Sequence, residues 1–498
     1  MKRNLSDNFV KWIKTAVLVI INILLWAVPS NVVYLIAQNR DVLLGRYGVT
    51  RLTWMLILIP ITLIVLYFIW SNEADKKKRR FQVVTLTLSI IIPLFFVDLF
   101  MRLTKPKQYI MHRNYYHLAP DKVLHGTFHD APENAFTYPN MRPGYPDIEY
   151  TLTTDKRGFR NETSYDKYDI VVLGDSFAEG SNVPDDQIWA YLLAQKSNLT
   201  VCNLGMAAGH PGTYLETLKK FGVNLSPKLV LCMVYEGNDF RDSNFQREDT
   251  FVHHISNYFK RSPLRLAIEK CMINSLGSKD EDTLKLLAAS KNRDINHPAI
   301  DALSWLPVAV PEGPEEKFYA FTVKSVLADF QSKDTFLHSK SCEKAFACLH
   351  QIKKLCDTKN IHLIIVFAPD KPHILLPLIR HNVSPDKLRS FMALRESHLP
   401  ASEELMDAVL ARVDIRESEV KEFCRRELVG FVSLTEPLRE GVNRGQQLYF
   451  TYDDHWTPIG HEVAADTILR YVNGYPLTKN IIDKMSPRLK THASRIEN

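Results

Sequence analysis

The sequence predicts an α/β protein: a three-layer α/β/α domain built on a parallel sheet, preceded by an N-terminal region of three transmembrane helices. Three observations carry this expectation. Long apolar runs fill the first hundred residues. From Asp169 onward, short apolar strands alternate with helical segments. Polar turns rich in Gly, Asp, Asn and Ser follow those strands.

The apolar runs come first in the chain. Leu52 to Ser71 and Phe81 to Val97 carry no charge, and each is close to the roughly 20 residues that cross a bilayer as a helix. A third run, Thr15 to Gln38, is interrupted by Pro29, Ser30 and Asn31 but is long enough to span. The expected anchor is therefore residues 1–103, with helices near 15–38, 52–71 and 81–102. Lys2, Arg3, Lys11 and Lys14 precede the first span, and Lys76 to Arg80 lie between the second and third. Basic residues favour the cytoplasmic side, which puts the N-terminus in the cytoplasm and the chain after the third span outside it. Asp98, the one charge deep in a span, sits near its outer end.

Residues 1–110 hold 15 Lys and Arg against 5 Asp and Glu, and the remainder holds 47 against 51. The net charge of +6 is thus a topology signal, and no basic surface calls for nucleic acid. The seven cysteines include no C-x-x-C pair, and Cys202 and Cys232 sit in or beside apolar strands as buried thiols would. Cys348 and Cys356 are too far apart on one helix to bridge each other, which leaves only a disulfide to a distant partner open.

Residues 104–168, rich in Tyr, Pro, Asn and His, read as a linker with a small β-element around Ile148–Thr153 and a turn at Arg157-Gly158. The main domain is expected over 169–475. Its strands are Asp169–Leu173, Thr200–Leu204, Lys228–Val234, His362–Phe367 and Gly430–Leu434. Its helices are Gln187–Lys196, Thr213–Val223, Cys342–Thr358 and a last one starting near Thr457, which can cap it ahead of Pro458. Two helical insertions break the alternation: a polar segment with scattered helical pieces at 241–341, read as a lid or cap, and a second at 385–426. Residues 476–498 form a tail.

In an open parallel sheet the polar loops after the strands gather at one edge, where ligands bind. Ser176 follows the first strand and is the expected nucleophile. Asn238 follows Lys228–Val234, and its amide can donate to an oxyanion. Asn203-Leu204-Gly205 ends the second strand, and Gly209 follows in the same loop; Gly209 is the choice for a second backbone donor, with Gly205 as the alternative. His455 suits a general base that later acts as acid. Asp453 is favoured to orient it, with Asp454 next to it as the alternative. His461, inside the last helix, reads as packed. His210, His455 and His461 lack the spacings of a zinc site, and no metal or cofactor is called for.

Taken in order, Gly174-Asp175-Ser176-Phe177, the Asn203-Leu204-Gly205…Gly209 loop, Gly237-Asn238-Asp239 and Asp453-Asp454-His455-Trp456-Thr457-Pro458 resemble the four blocks of the SGNH, or GDSL-type, hydrolase superfamily. The resemblance covers about Asp169 to Val472 without the insertions. The last block also looks like that of membrane-anchored, alginate O-acetyltransferase-like proteins, in which the order of the blocks can differ. Two departures stand out. Tyr452 occupies the place where the usual block carries its Asp, and the second block has one extra residue before Gly209. The resemblance implies a catalytic triad of Ser176, His455 and Asp453, with an oxyanion hole from the Ser176 and Gly209 N–H groups and the Asn238 amide. It further implies a membrane-anchored, extracytoplasmic esterase or deacetylase acting on O-acyl, above all O-acetyl, esters of a cell-envelope carbohydrate. An O-acyltransferase using the same site, with a multispanning acyltransferase as partner, is the first alternative. A lipid esterase and a non-catalytic glycan-binding or assembly protein follow it.

Overall fold

The computed structural model describes residues 2–27, 42–43, 47–70, 76–104, 109–111, 116–130, 144–241, 262–276, 305–312, 315–378, 380, 383–393 and 396–474. They belong to two compact units, Met1–Pro106 with Glu248–Asp294, and Lys107–Arg247 with Ile295–Asn498.

The first unit is helical: Lys2–Ala27, Val49–Ile69, Lys76–Thr104 and Pro263–Leu276. The first three fall on the three expected spans, although residues 28–38 of the first span lie outside the described residues. Among the described residues, one helix, Lys77–Thr104, is long and apolar enough to cross a membrane, with a mean hydropathy of 2.4, and Leu58–Ile69 is a shorter apolar helix. Pro60 and Pro93 sit inside these helices. Asp98 shows what a carboxylate in an apolar helix requires: one oxygen accepts from Arg102 Nε at 2.7 Å, a turn away, and the other from Ser262 Oγ at 2.6 Å. Ser262 precedes helix Pro263–Leu276. The stretch 241–341, expected as a single lid, is therefore divided between the two units.

The second unit contains a five-stranded parallel sheet. Its strands are β1 (Ile170–Leu173), β2 (Val201–Asn203), β3 (Leu229–Tyr235), β4 (His362–Ala368) and β5 (Gly430–Ser433), in spatial order β5-β4-β3-β1-β2. The chain goes from β1 outward to β2, then back across β1 to β3, so the order reverses between β1 and β3. All four pairings are parallel, with Val172 beside Leu231 and Ile365 beside Cys232. Both faces are covered, which is why the strands read as continuous apolar runs. Ile170, Val172, Leu231 and Met233 pack toward helices α2 (Trp189–Ser197), α6 (Thr435–Asn443) and α7 (Pro458–Gly474). The alternate residues Val171, Leu173, Val230 and Cys232 pack toward α3 (Pro211–Thr217), α4 (Lys340–Thr358) and α5 (Ile415–Glu427). A short turn of helix, α1 (Ser176–Glu179), follows β1.

Local sequence explains the helix ends. Ser339 accepts from the Cys342 N–H at the start of α4, and Thr457 from the Gly460 N–H at the start of α7. The strand around Ile148–Thr153 pairs antiparallel with Val123–Phe128. The insertion at 385–426 forms Pro385–Met392, Ser402–Arg412 and α5, which extends to Glu427. One element differs in kind from the expectation: Trp305–Glu312 and Glu315–Thr322 form an antiparallel hairpin within what reads as a helical stretch. Pro307 and Pro311 on its first strand mask the strand pattern. All seven cysteines are free thiols. Burial pushes the thiols of Cys342, Cys356 and Cys424 up to about 12, so they behave as small apolar side chains. The tail, 476–498, lies outside the described residues.

Leu231 sits fully buried in the middle strand between both helical layers. Leu231→Ala is expected to destabilise the fold by about 2–5 kcal/mol, seen as a lowered midpoint of urea unfolding. A midpoint equal to wild type would contradict the packing described.

Candidate active site

The strand order reverses between β1 and β3, and in such a sheet the carboxyl ends of the strands at that point are the usual ligand position. Ser176 follows β1 and Asn238 follows β3. Two glycines let the surrounding loops come this close. A Cβ on Gly174 would lie 2.5 Å from the Ala178 Cβ, and one on Gly205 would lie 2.4 Å from the Glu179 nitrogen. Ser176 is the first residue of α1, so its N–H is among those a helix leaves without an internal acceptor.

His455 comes from the loop ahead of α7. Its Nε2 lies 2.7 Å from Ser176 Oγ, and its Nδ1 lies 2.6 Å from Asp453 Oδ1. The same Asp453 oxygen accepts from the His455 backbone N–H at 2.8 Å, so the short spacing closes on itself. With Nδ1–H donating to Asp453, Nε2 is left to accept from the serine hydroxyl. Of the two adjacent carboxylates, Asp453 is the one on the imidazole. Asp454 instead lies 3.5 Å from Lys371 Nζ. Phe177 packs against His455 at 4.9 Å, Tyr235 at 4.0 Å and Trp456 at 4.8 Å, an aromatic floor beneath the pair.

Asn238 is held from behind. Its Nδ2 donates to Asp175 Oδ2 at 2.8 Å, while Asp175 Oδ1 accepts from the Phe177 N–H. An amide nitrogen carries two hydrogens, and this bond engages one of them. Burial raises Asp175 to about 6, against the opposing pull of these hydrogen bonds and of His455. Asp239 points the other way, accepting from Tyr214 Oη and the Tyr235 N–H, and so shapes the turn.

The second backbone donor departs from expectation. The Gly209 N–H donates to the Met206 carbonyl at 2.9 Å and the Gly205 N–H to Asn203 Oδ1 at 2.9 Å, so both are occupied within their own loop. Asn203 in turn is fixed by Asn161 and by the Ala178 carbonyl. The physical reason is the turn at Ala208, whose φ of 57° folds the chain back so that the Gly209 N–H meets the Met206 carbonyl. His461 is buried, lies 3.4 Å from the Trp189 N–H, and is pulled down to about 3 by burial, so it packs as a neutral ring. His210 begins α3, where its N–H donates to Thr213 Oγ1.

A second polar cluster lies nearby at the ends of β3 and β4. His373 bridges Glu236 at 2.7 Å and Asp414 at 2.8 Å, with Glu417, Arg416 and Arg439 around them. His373, Asp414 and Glu417 are close enough to share a cation among the described residues. Their donors are already engaged: Asp414 by Arg439 and Glu417 by Thr435 Oγ1. The cluster is an ion-pair brace, and sequence spacing gives no signal of it.

Burial alone would lower the His455 imidazole, but the Asp453 charge and hydrogen bond outweigh it and raise the group to about 9. Asp453 is lowered to about 2: burial pushes it up, and His455 more than reverses that. For His455 the folded value exceeds the ordinary 6.5. The pair's contribution to stability is therefore complete below about 6.5 and is lost as pH rises through about 9. For Asp453 the contribution holds above the ordinary 3.8 and is lost as pH falls toward 2. Nuclear magnetic resonance titration is expected to place His455 well above 6.5, with Asp453→Asn bringing it back toward that value. A wild-type His455 titrating at or below 6.5 would contradict the ion pair.

Comparison with known proteins gives no matching family model and no matching curated protein. Among solved structures, the chain is similar to a lipolytic protein of the G-D-S-L family from Desulfitobacterium hafniense, with 12% identity, 61% of this chain and 98% of that chain covered, and a TM-score of 0.28. An extracellular lipase from Streptomyces rimosus shows 11% identity over 61% and 98% of the two chains at a TM-score of 0.31. A variant of a Geobacillus acetyl-xylooligosaccharide esterase shows 12% identity over 63% and 97% at 0.28. These likenesses are slight, and the chemistry of the chain rests on its own residues.

Proposed function

We propose that the chain is a membrane-anchored serine ester hydrolase whose catalytic residues are Ser176, His455 and Asp453. The observation that carries this reading is the continuous relay from Ser176 Oγ through both nitrogens of His455 to Asp453, at 2.7 and 2.6 Å. Such a relay has one evident use, to move a proton off the hydroxyl as it attacks a carbonyl. In the first step Ser176 Oγ bonds to the ester carbon while its proton passes to His455 Nε2. The carbonyl electron pair moves to oxygen, where the Ser176 N–H and the Asn238 amide receive it. Collapse breaks the bond to the leaving alcohol, which takes the proton from His455. Water then attacks the acyl-serine by the same route, giving the acid and restoring the serine. Asp453 keeps the imidazolium oriented and offsets its charge throughout.

The acyl group in this reading is small, above all acetyl, and the substrate is an extracytoplasmic carbohydrate of the cell envelope. Support comes from the Asp453-Asp454-His455-Trp456-Thr457-Pro458 block, from the apolar helix Lys77–Thr104, and from the basic run Lys76–Arg80 at its start, which favours a cytoplasmic start and an extracytoplasmic end. The alternative is an O-acyltransferase, in which a sugar hydroxyl rather than water resolves the acyl-serine.

The test is full-length protein, wild type against Ser176→Ala, given p-nitrophenyl acetate and an oligosaccharide acceptor. Serine-dependent nitrophenol release with free acetate is expected. Acetylated sugar among the products would mean transfer instead, and no serine-dependent release would overturn both enzymatic readings. Asn238→Ala is expected to lower kcat by about 100- to 1,000-fold with little change in KM, measured on the same ester. An equal rise in KM at unchanged kcat would show that Asn238 serves binding rather than the oxyanion.

A further inference from the structure

The loop carrying Asp453 and His455 is gripped on both sides by buried charges that lie far from it in sequence. Asp130 is 6% exposed and sits just after the strand Val123–Phe128. Its Oδ2 accepts from the Thr451 N–H at 2.7 Å and the Tyr145 N–H at 2.7 Å. Its Oδ1 accepts from the N–H groups of Tyr452 at 2.9 Å and Asp453 at 3.2 Å. Three consecutive amides thus converge on one carboxylate, an arrangement in which the backbone forms an anion nest. From the other side Lys371, fully buried, donates from Nζ to the carbonyls of Phe450 at 3.2 Å, Thr451 at 3.1 Å and Asp453 at 2.9 Å. The Thr451 carbonyl also accepts from the Ala320 N–H of the 305–322 hairpin. Phe128 and Tyr145 pack on Phe450 at 4.6 and 5.4 Å, so the segment that supplies Asp130 also wedges the start of the loop.

We propose that Asp130 and Lys371 are positioning residues for the Asp453–His455 pair: the carboxylate fixes the amides of the loop, the ammonium fixes its carbonyls, and between them the loop has one conformation. The inference rests on the esterase reading for its kinetic consequence but not for its structural one. A charge-assisted hydrogen bond is roughly twice as strong as a neutral one, and here seven such bonds converge on one short turn and its neighbour Tyr145. Neither ion is positioned to touch a substrate. Burial lowers the Lys371 ammonium, and the carboxylates of Asp454, Asp130 and Asp453 oppose that, so the cation is held in place by the acids around the loop. A displacement of about 1 Å in such a relay can cost about 100-fold in rate, which is the size of effect a loosened loop would have.

The experiment compares full-length wild type, Asp130→Asn, Asp130→Glu and Lys371→Met, extracted in detergent. Asp130→Asn turns an amide NH2 toward two of the N–H donors that the carboxylate accepts from, Asp130→Glu keeps both oxygens, and Lys371→Met removes the cation at similar length. Amide hydrogen exchange is read over the 449–456 segment and over β3, and kcat, KM and the pH dependence of kcat/KM are read on p-nitrophenyl acetate. Asp130→Asn and Lys371→Met are expected to speed exchange in 449–456 by about 10- to 100-fold with β3 unchanged. They are also expected to lower kcat about 100-fold at constant KM and to shift the ascending, acid-side limb set by His455, with Asp130→Glu recovering part of each loss. Exchange within about twofold of wild type in both variants overturns the proposal, as does loosening spread equally through β3. Local loosening in a chain whose wild type shows no Ser176-dependent turnover would leave the clamp standing and remove the esterase reading instead.

Discussion

The candidate site of the second unit is organised around one contact, the hydrogen bond between Ser176 Oγ and His455 Nε2, which joins the end of the first sheet strand to the loop before the last helix. Everything around it can be read as a means of bringing those two atoms to 2.7 Å. The parallel register of β1 on β3 brings the Ser176 and Asn238 turns to one edge. Helix α7, packed on the face that also holds α2, brings the 450–457 loop over that edge. The isolated bridge between Tyr449 and Trp456 closes the base of the loop. A bond between groups so distant in sequence cannot be made by local preference, so the sheet must form before the site exists.

The carboxyl edge of the sheet is also where ionisable groups are buried, and their environments push them in opposite directions. Asp453 is kept charged by His455, whereas Asp239 is driven upward by burial and then by the Asp175 charge. Glu236 and Asp370, both buried, divide the roles again. Burial would raise Glu236, but His373 and Arg416 outweigh it and keep it ionised. Asp370 is raised by its own burial and then by that ionised neighbour. Each carboxyl thus follows its surroundings: a nearby cation keeps Asp453 and Glu236 low, and burial beside another acid raises Asp239 and Asp370.

The strands are legible because a doubly covered parallel sheet leaves long apolar runs, and each run from Ile170 to Ser433 stands where the pattern puts it, within a residue or so. The residues of the relay are legible because turn chemistry places Ser176, Asn238, Asp453 and His455 directly after such runs or before a capped helix. Less visible is anything that depends on a partner far away in the chain. Asp130 lies in a stretch that reads as linker, and Lys371 looks like an ordinary surface lysine after a strand; only the folded loop shows that each meets three of its backbone groups. The hairpin at 305–322 is hidden by prolines. The Gly209 N–H misleads for a related reason, because the spacing of the loop does not reveal that it folds back on Met206.

Asp175 links these two kinds of information. As a member of a Gly-Asp-Ser turn it reads as a capping residue, and it does cap α1 through the Phe177 N–H. Its other oxygen takes one hydrogen of the Asn238 amide, and this second bond gives the site its direction. An asparagine amide that rotated could present its carbonyl to a developing oxyanion, which would repel it; fixed by Asp175, it presents a donor. The cost is a fully buried carboxylate, raised to about 6. Since an acid raised by the fold is stabilised as its neutral form, Asp175 contributes most below the ordinary 3.8 and progressively less as pH rises from there through about 6. In the proposed mechanism His455 serves as base only once it has lost its proton, above about 9. Asp175, at about 6, is already ionised in that range, so its carboxylate holds the Asn238 amide where the base is active.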